Sequence, residues 1–113
     1  MQEYLGIDVP NDTQGVLQDS HWSGGSIGYF PSYALGSAYA AQFYAVMNRD
    51  FDVEEAIAQG HMDKVVGWLQ EKVHRYGKLY DPDQIFEQAC GEKFDVKYYV
   101  DYLTDKYTKL YDL

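Results

Sequence analysis

Cysteine, histidine and basic side chains are all scarce in this sequence, and each scarcity excludes something. One cysteine, Cys90, stands among 113 residues, which rules out an internal disulfide framework and makes a reducing cytoplasm the expected compartment. Cys90 lies on an apolar face just before Gly91, so a buried, inert thiol is expected rather than a nucleophile. Nine Lys and Arg face eighteen Asp and Glu, a net charge of −9. That balance argues against nucleic acid and anionic membrane as partners, since both are met with positive charge. No apolar run approaches the roughly 20 residues of a membrane span, and the opening MQEYLGIDVP lacks the basic start and apolar core of a signal peptide. The three histidines, His21, His61 and His74, never stand four apart. The HExxH arrangement, which puts two imidazoles on one helical face, is therefore absent, and a metal site within the chain is not expected. No repeat and no low-complexity segment is present.

Tyrosine is abundant instead, with twelve in the chain. Such rings can line a ligand cleft or serve as amphipathic surface, and composition does not separate the two. The pattern predicts an all-α chain, a short helical bundle after an irregular N-terminal quarter. Residues 1–14 read as irregular or briefly extended, with a turn at Pro10-Asn11-Asp12. Gly15 to Asp19 can form one helical turn, and Ser23 to Ser26 reads as a loop. Pro31 suits the first position of a helix, where its missing N–H costs nothing. That helix, to about Asn48, is apolar on nearly every side and needs covering from several sides. This is more than the three short helices that follow are expected to supply, which hints at an absent packing partner. Asp52 caps the next, which breaks near Gly60. A longer helix is predicted from His61 to Tyr76, with Met62, Val65, Val66, Leu69, Val73 and Tyr76 on its apolar face and Gly77 ending it. Asp81-Pro82 opens a short helix through Cys90. Asp95 caps the last, where Val96, Val100, Leu103, Tyr107 and Leu110 form the apolar stripe.

The stretch from Gly15 to Tyr33, GVLQDSHWSGGSIGYFPSY, concentrates groups that donate, accept or stack. Asp19 stands where it could orient or charge the imidazole of His21. A local bond from His21 to a backbone carbonyl is an equal alternative. Tyr29 and Tyr33, four apart, would project from the entry to the helix, with Phe30 as the buried packing member between them. Two phenols and an imidazole in one place form a set of donors suited to stabilising an oxyanion. The bland reading of His61 is a solvated side chain, and of His74 a contact with a helix C-terminus.

These residues resemble a known family. GVLQDSHW fits the GxxQDxHW signature of the HExxH zinc metallocarboxypeptidases typified by the thermostable carboxypeptidase of Thermus. GYFPSY, Gly28 to Tyr33, looks like that family's GYFPTY. YLGIDVPND resembles the segment before the signature, and VHRYGKLYDPDQIFEQACGE through DYLTDKYTKLYDL looks like the family's C-terminus. The spacing of His21, Gly24, Gly25, Tyr29 and Tyr33 is also similar to that in a related clan of oligopeptidases, where a histidine and tyrosines bond the substrate carbonyl as it becomes tetrahedral. The resemblance implies that residues 1–113 are a single C-terminal domain or fragment of a larger, mainly helical metallopeptidase. Residues 1–30 would be its substrate-site loop segment and 31–113 its helical part. It further implies catalytic roles for His21, Tyr29 and Tyr33, and substrate-binding or loop-positioning roles for Gln18, Asp19, Trp22, Gly24 and Gly25.

In full-length members the HExxH helix, a third zinc ligand and the substrate-holding arginines lie upstream. The resemblance thus implies zinc (or cobalt) in the full-length parent and none in this chain, a peptide substrate, and a missing N-terminal catalytic portion as partner. The isolated chain is expected to be inactive, and exposed apolar surface makes self-association plausible. A stand-alone helical binding or scaffolding module is the competing reading. A weaker third, an aromatic-lined sugar-binding module, rests on the tyrosine count.

Overall fold

The computed structural model describes residues 2–113. All regular structure among the described residues is helical. In chain order it comprises α1 (Gln2–Leu5), two 3-10 turns (Asp12–Gln14 and Val16–Gln18), α2 (Ser20–Ser23), α3 (Phe30–Asp50), α4 (Val53–Ala58), α5 (Met62–Lys72), a 3-10 turn (His74–Tyr76), α6 (Pro82–Cys90) and α7 (Lys97–Tyr111). The chain divides into two compact units, Met1–Ala34 and Leu35–Leu113.

The first unit is held by local bonds. Its opening is helical at Gln2–Leu5 rather than irregular throughout, and α2 occupies residues expected to lead into a loop. Both helices have only four residues, too few to show a periodic apolar pattern in the sequence. Asn11 ends the first turn signal, its carboxamide oxygen accepting the Gln14 N–H at 2.9 Å. Gly15 has a steric reason to be glycine. A Cβ there would stand 2.4 Å from Cγ1 of Val9 and 3.2 Å from the carbonyl oxygen of Asn11.

The second unit has a true core. Val46 and Met47 of α3 pack with Val53, Trp68, Phe86 and Cys90, and Tyr39, Phe43, Tyr44, Phe51, Val65 and Leu69 close around them. Phe86 is its aromatic centre, with ring centroids 4.6 Å from Tyr39, 4.9 Å from Phe43 and 5.9 Å from Phe94. Gln42, read from the sequence as a polar interruption, is fully buried at 0% exposure. Its amide donates to the Lys93 carbonyl at 3.0 Å, and its oxygen accepts the Asp95 N–H at 2.9 Å. Both bonds reach more than fifty residues along the chain, so this one amide holds the α6–α7 connection against α3. A buried amide bonded at both ends escapes the penalty for burying unpaired polar groups.

Corners between the helices follow from caps. The Asp52 carboxylate accepts the Glu55 N–H at 2.9 Å, starting α4 as expected. Asn48 turns the chain between α3 and α4 by accepting the Val53 N–H at 3.1 Å. Gln84 accepts the Asp81 N–H at 3.1 Å, and α6 ends on Gly91 in the left-handed conformation at φ 71°. Asp95 accepts the Lys97 N–H at 2.8 Å at the start of α7. Cys90 is buried, and that burial, with the nearby charge of Glu92 adding to it, pushes its thiol up to about 11.

One expectation is met and two need correction. Helix α3 is covered on one side only, as the shortage of following helices implied: Ala38, Ala41, Gln42, Val46 and Met47 are buried, while residues 30–37 are exposed. The later helices are too few and too short to surround a helix of 21 residues. The helix expected over 61–76 ends at Lys72, because Val73 leaves helical geometry at φ −127° and a 3-10 turn follows. Its buried side is also rotated. Trp68, donating to Asp50 at 2.7 Å, is buried, whereas Met62 and Val66 are exposed. Finally, the α7 stripe faces outward at Val96, Val100, Tyr107 and Leu110, and Leu103 is only half-buried. The side of α7 that is partly covered carries Tyr98, Tyr99 and Leu103, and Tyr102 beside it, itself exposed, meets Tyr44 with centroids 6.5 Å apart.

Candidate active site

Asp19 organises the first unit. Its backbone is extended at φ −85° and ψ 117°, so its carboxylate turns back over the first turn of α2 and accepts the N–H groups of His21 and Trp22, each at 3.1 Å. This is an N-cap that starts a helix of only four residues. The same carboxylate oxygen that accepts the His21 N–H also lies 2.9 Å from Nδ1 of the His21 ring. Burial by itself would raise the Asp19 carboxyl. The bonds from the His21 ring and from the His21 and Trp22 N–H groups outweigh it and hold the group below the usual carboxylate value. The cap therefore also aims the imidazole.

The loop after α2 returns the chain to that ring. Ser26 N–H donates to the His21 carbonyl at 2.6 Å, and Gly25 N–H to the Trp22 carbonyl at 3.0 Å. Gly25 and Gly28 sit at φ 82° and 78°, a region that a residue with a Cβ rarely adopts. Tyr29 then stacks on His21, centroids 5.0 Å apart and planes 19° from parallel. Tyr33, on the first turn of α3, places its hydroxyl 3.3 Å from Nε2 of His21. The two tyrosine rings meet edge to face at 5.6 Å. The structure thus brings His21, Tyr29 and Tyr33 together, with both ring nitrogens of His21 engaged.

The other candidate residues have distinct places. Gln18 does not approach the ring. Its amide donates to the Thr13 carbonyl at 2.7 Å and ties the two 3-10 turns together. Thr13 carries no signal in the sequence, because only its carbonyl is used. Gly24 N–H bonds the Ser20 carbonyl at 3.0 Å and ends α2. Phe30, expected to be the buried packing member, is 55% exposed although its ring meets His21 edge-on at 5.2 Å. Nothing within residues 1–34 covers its outer face, since none of the described residues there is buried. Trp22 is exposed too, and with Phe30, Val9, Val16 and Gly15 it lines an apolar hollow of about 630 Å³ that Asp12 and Asp19 also border. That hollow was not foreseen. Its residues are scattered over 22 positions, so no short-range pattern announces it.

His61 and His74 stay away from this cluster in sequence and in bonding. The His61 ring lies 3.8 Å from the Asp63 carboxylate and is solvent-exposed, and His74 begins a 3-10 turn. Among the described residues no group of three or more His, Cys, Asp or Glu side chains could hold a metal ion. Among them also, no helix is long and apolar enough to cross a membrane.

A cap, a stacked imidazole–phenol pair and a phenol on the next helix form a donor set in an all-helical frame. Residues 1–107 match the carboxypeptidase Taq (M32) metallopeptidase family. The chain is 48% identical over 111 residues to carboxypeptidase 1 of Bacillus subtilis (strain 168), covering 97% of this chain and 22% of that protein. It is 42% identical over 108 residues to thermostable carboxypeptidase 1 of Pyrococcus furiosus, covering 95% of this chain and 22% of that protein. The crystal structure of the M32 carboxypeptidase from Deinococcus radiodurans R1 superimposes with a TM-score of 0.84 at 36% identity, over 99% of this chain and 23% of that one. The chain belongs to the carboxypeptidase Taq (M32) metallopeptidase family. It spans about a fifth of the length of these relatives. The metal that the family's description implies finds no ligand set among the described residues.

Proposed function

We propose that this chain is the C-terminal portion of a metal-dependent carboxypeptidase, one that releases C-terminal residues from peptides, and that it supplies His21, Tyr29 and Tyr33 to the reaction. Residues 1–30 are the substrate-site segment and 31–113 the helical part. The single observation carrying this reading is the convergence of one imidazole and two phenol rings, with the Tyr33 hydroxyl 3.3 Å from Nε2 of His21. Among the described residues Asp19 is the acidic group bonded to the His21 ring, and the donors of the cluster are the two phenols together with Nε2 of His21 when that nitrogen carries a proton. Donors of this kind act on a carbonyl oxygen whose charge grows as the carbon becomes tetrahedral. Each is worth roughly 10²–10³ in rate when it is aimed at the charged state rather than the substrate. In this reading Asp19 and Gln18 hold the loop, Gly24 and Gly25 let it turn, and Trp22 meets the peptide.

This reading requires an N-terminal catalytic portion as partner, and zinc (or cobalt) belongs to that portion. The chain by itself binds no catalytic metal and hydrolyses nothing, and its compartment is the cytoplasm. The test is a full-length enzyme assembled by supplying the N-terminal portion of a relative, in trans or as a fusion, with zinc or cobalt. Tyr29→Phe and Tyr33→Phe are each expected to lower kcat about 100-fold with little change in KM. A change confined to KM for both variants would show ground-state binding instead. A well-folded assembly with no peptide cleavage at all would end the split-enzyme reading.

A further inference from the structure

Asp19 does more than start a helix, because its carboxylate also decides which nitrogen of His21 carries a proton. An ionised carboxylate only accepts, so the 2.9 Å contact to Nδ1 requires a proton on that nitrogen. In the neutral ring Nε2 is then a lone-pair acceptor. It lies 3.3 Å from the Tyr33 hydroxyl, which donates its single proton inward to the ring. When Nε2 takes a proton from solvent, the imidazolium has two donors and no acceptor. The Nε2 proton then points at the Tyr33 oxygen, and the phenol proton must turn away to another acceptor.

We propose that Asp19 is a positioning residue that fixes the His21 tautomer, and that Asp19, His21 and Tyr33 form a proton-ordered chain in which the protonation of His21 sets whether Tyr33 donates inward or outward. The groups facing the ring support this. Asp19 approaches from the segment before α2, Tyr29 stacks from the residue before α3, and Phe30 and Tyr33 meet its edges from α3. Asp19 is the charged member of that shell, and the two tyrosines bring phenol hydroxyls. On the reading of Proposed function, on which its catalytic meaning rests, the Tyr33 proton is directed to the substrate oxygen once the imidazole is doubly protonated. Charge on the imidazolium and the outward phenol would then act on the same oxyanion.

The tautomer can be read without any activity. In the ¹⁵N-labelled 113-residue chain, two-bond nitrogen–proton correlations separate the two neutral forms of each histidine. His21 is identified as the signal that His21→Gln removes. The neutral His21 ring is expected in the Nδ1–H form. Asp19→Asn keeps its oxygen as the cap of the Trp22 N–H. Its amide nitrogen takes the place of the oxygen that now bonds both the His21 N–H and Nδ1. That nitrogen donates to Nδ1, so the ring is expected to switch to the Nε2–H form. Tyr33→Phe should leave the Nδ1–H form in place and move only the Nε2 signal. A wild-type His21 in the Nε2–H form overturns the proposal whatever the variants do. So does an Asp19→Asn chain whose backbone amide spectrum is native-like but whose tautomer is unchanged. If the tautomers behave as expected while Tyr33→Phe leaves kcat untouched in the assembled enzyme, the catalytic reading falls and the proton ordering stands.

Discussion

Residues 1–34 and residues 35–113 are built on opposite principles. In the first unit no described residue is buried, and the structure is a run of caps and short-range bonds. In the second, a cluster of apolar and aromatic side chains is closed from four helices, and even its one fully buried polar group is satisfied. The first unit holds the imidazole and phenols; the second holds the packing. A segment so short of buried apolar surface gains little from the hydrophobic effect. Its order comes from bonds to charged groups and from glycines that remove steric barriers. Chemistry-bearing side chains can stand partly exposed there because no core competes for them.

The largest effect that would separate the two units is expected at Phe86. Truncation by Phe86→Ala empties the aromatic centre of the core and should cost about 3–5 kcal/mol, measured by urea unfolding with far-ultraviolet circular dichroism. Trp22→Ala, on the exposed hollow, should leave the same transition almost unmoved. Equal losses for the two substitutions would erase the contrast between a packed and an unpacked unit.

A smaller loss is expected from Gln42→Leu. The new side chain matches the core in polarity, but it strands the Lys93 carbonyl and the Asp95 N–H that the amide now satisfies. Each stranded group typically costs about 1–3 kcal/mol. Hydrogen exchange at the Asp95 amide should speed up more than exchange within α5. If stability rises instead, the buried amide is a burden that the α6–α7 connection tolerates, and not its anchor.

The finest test lies in acid. The Asp19 carboxyl is held below its ordinary value of 3.8 in the folded chain. A lowered folded value means that its contribution is present above the unfolded value and is lost as pH falls through the folded one. The His21 and Trp22 amide signals should therefore move together with a midpoint below 3.8, while amides of the core around Phe86 do not follow that titration. A midpoint at or above 3.8 would mean that the cap and the ring contact do not favour the charged carboxylate.

Much of the molecule was legible from the chain wherever a structure is decided within a few residues. Asp52, Pro82, Gly91 and Asp95 mark their helix ends because a cap or a left-handed residue acts over a single turn. The cluster of His21, Tyr29 and Tyr33 was legible as a set of residue types, and its signature led to the family. Phe30 misled because an aromatic ring between two others reads as core, whereas exposure depends on what lies over it. Trp68 was overlooked because one residue of rotation decides which side of α5 is covered, and Val73 ends that helix without a glycine or proline to announce it.

What the sequence determined by itself is the helical class, most of the boundaries and the chemical inventory of Gly15 to Tyr33. Capping, φ preference and side-chain chemistry are properties of neighbours along the chain. Tertiary structure alone decided that Gln42 would be the polar centre of a core, which face of α3 would be covered, and that both nitrogens of His21 would be engaged. Burial depends on groups tens of residues away. The tautomer of His21 depends on a tyrosine twelve positions on, brought within 3.3 Å only when the loop through Gly25 and Gly28 has turned.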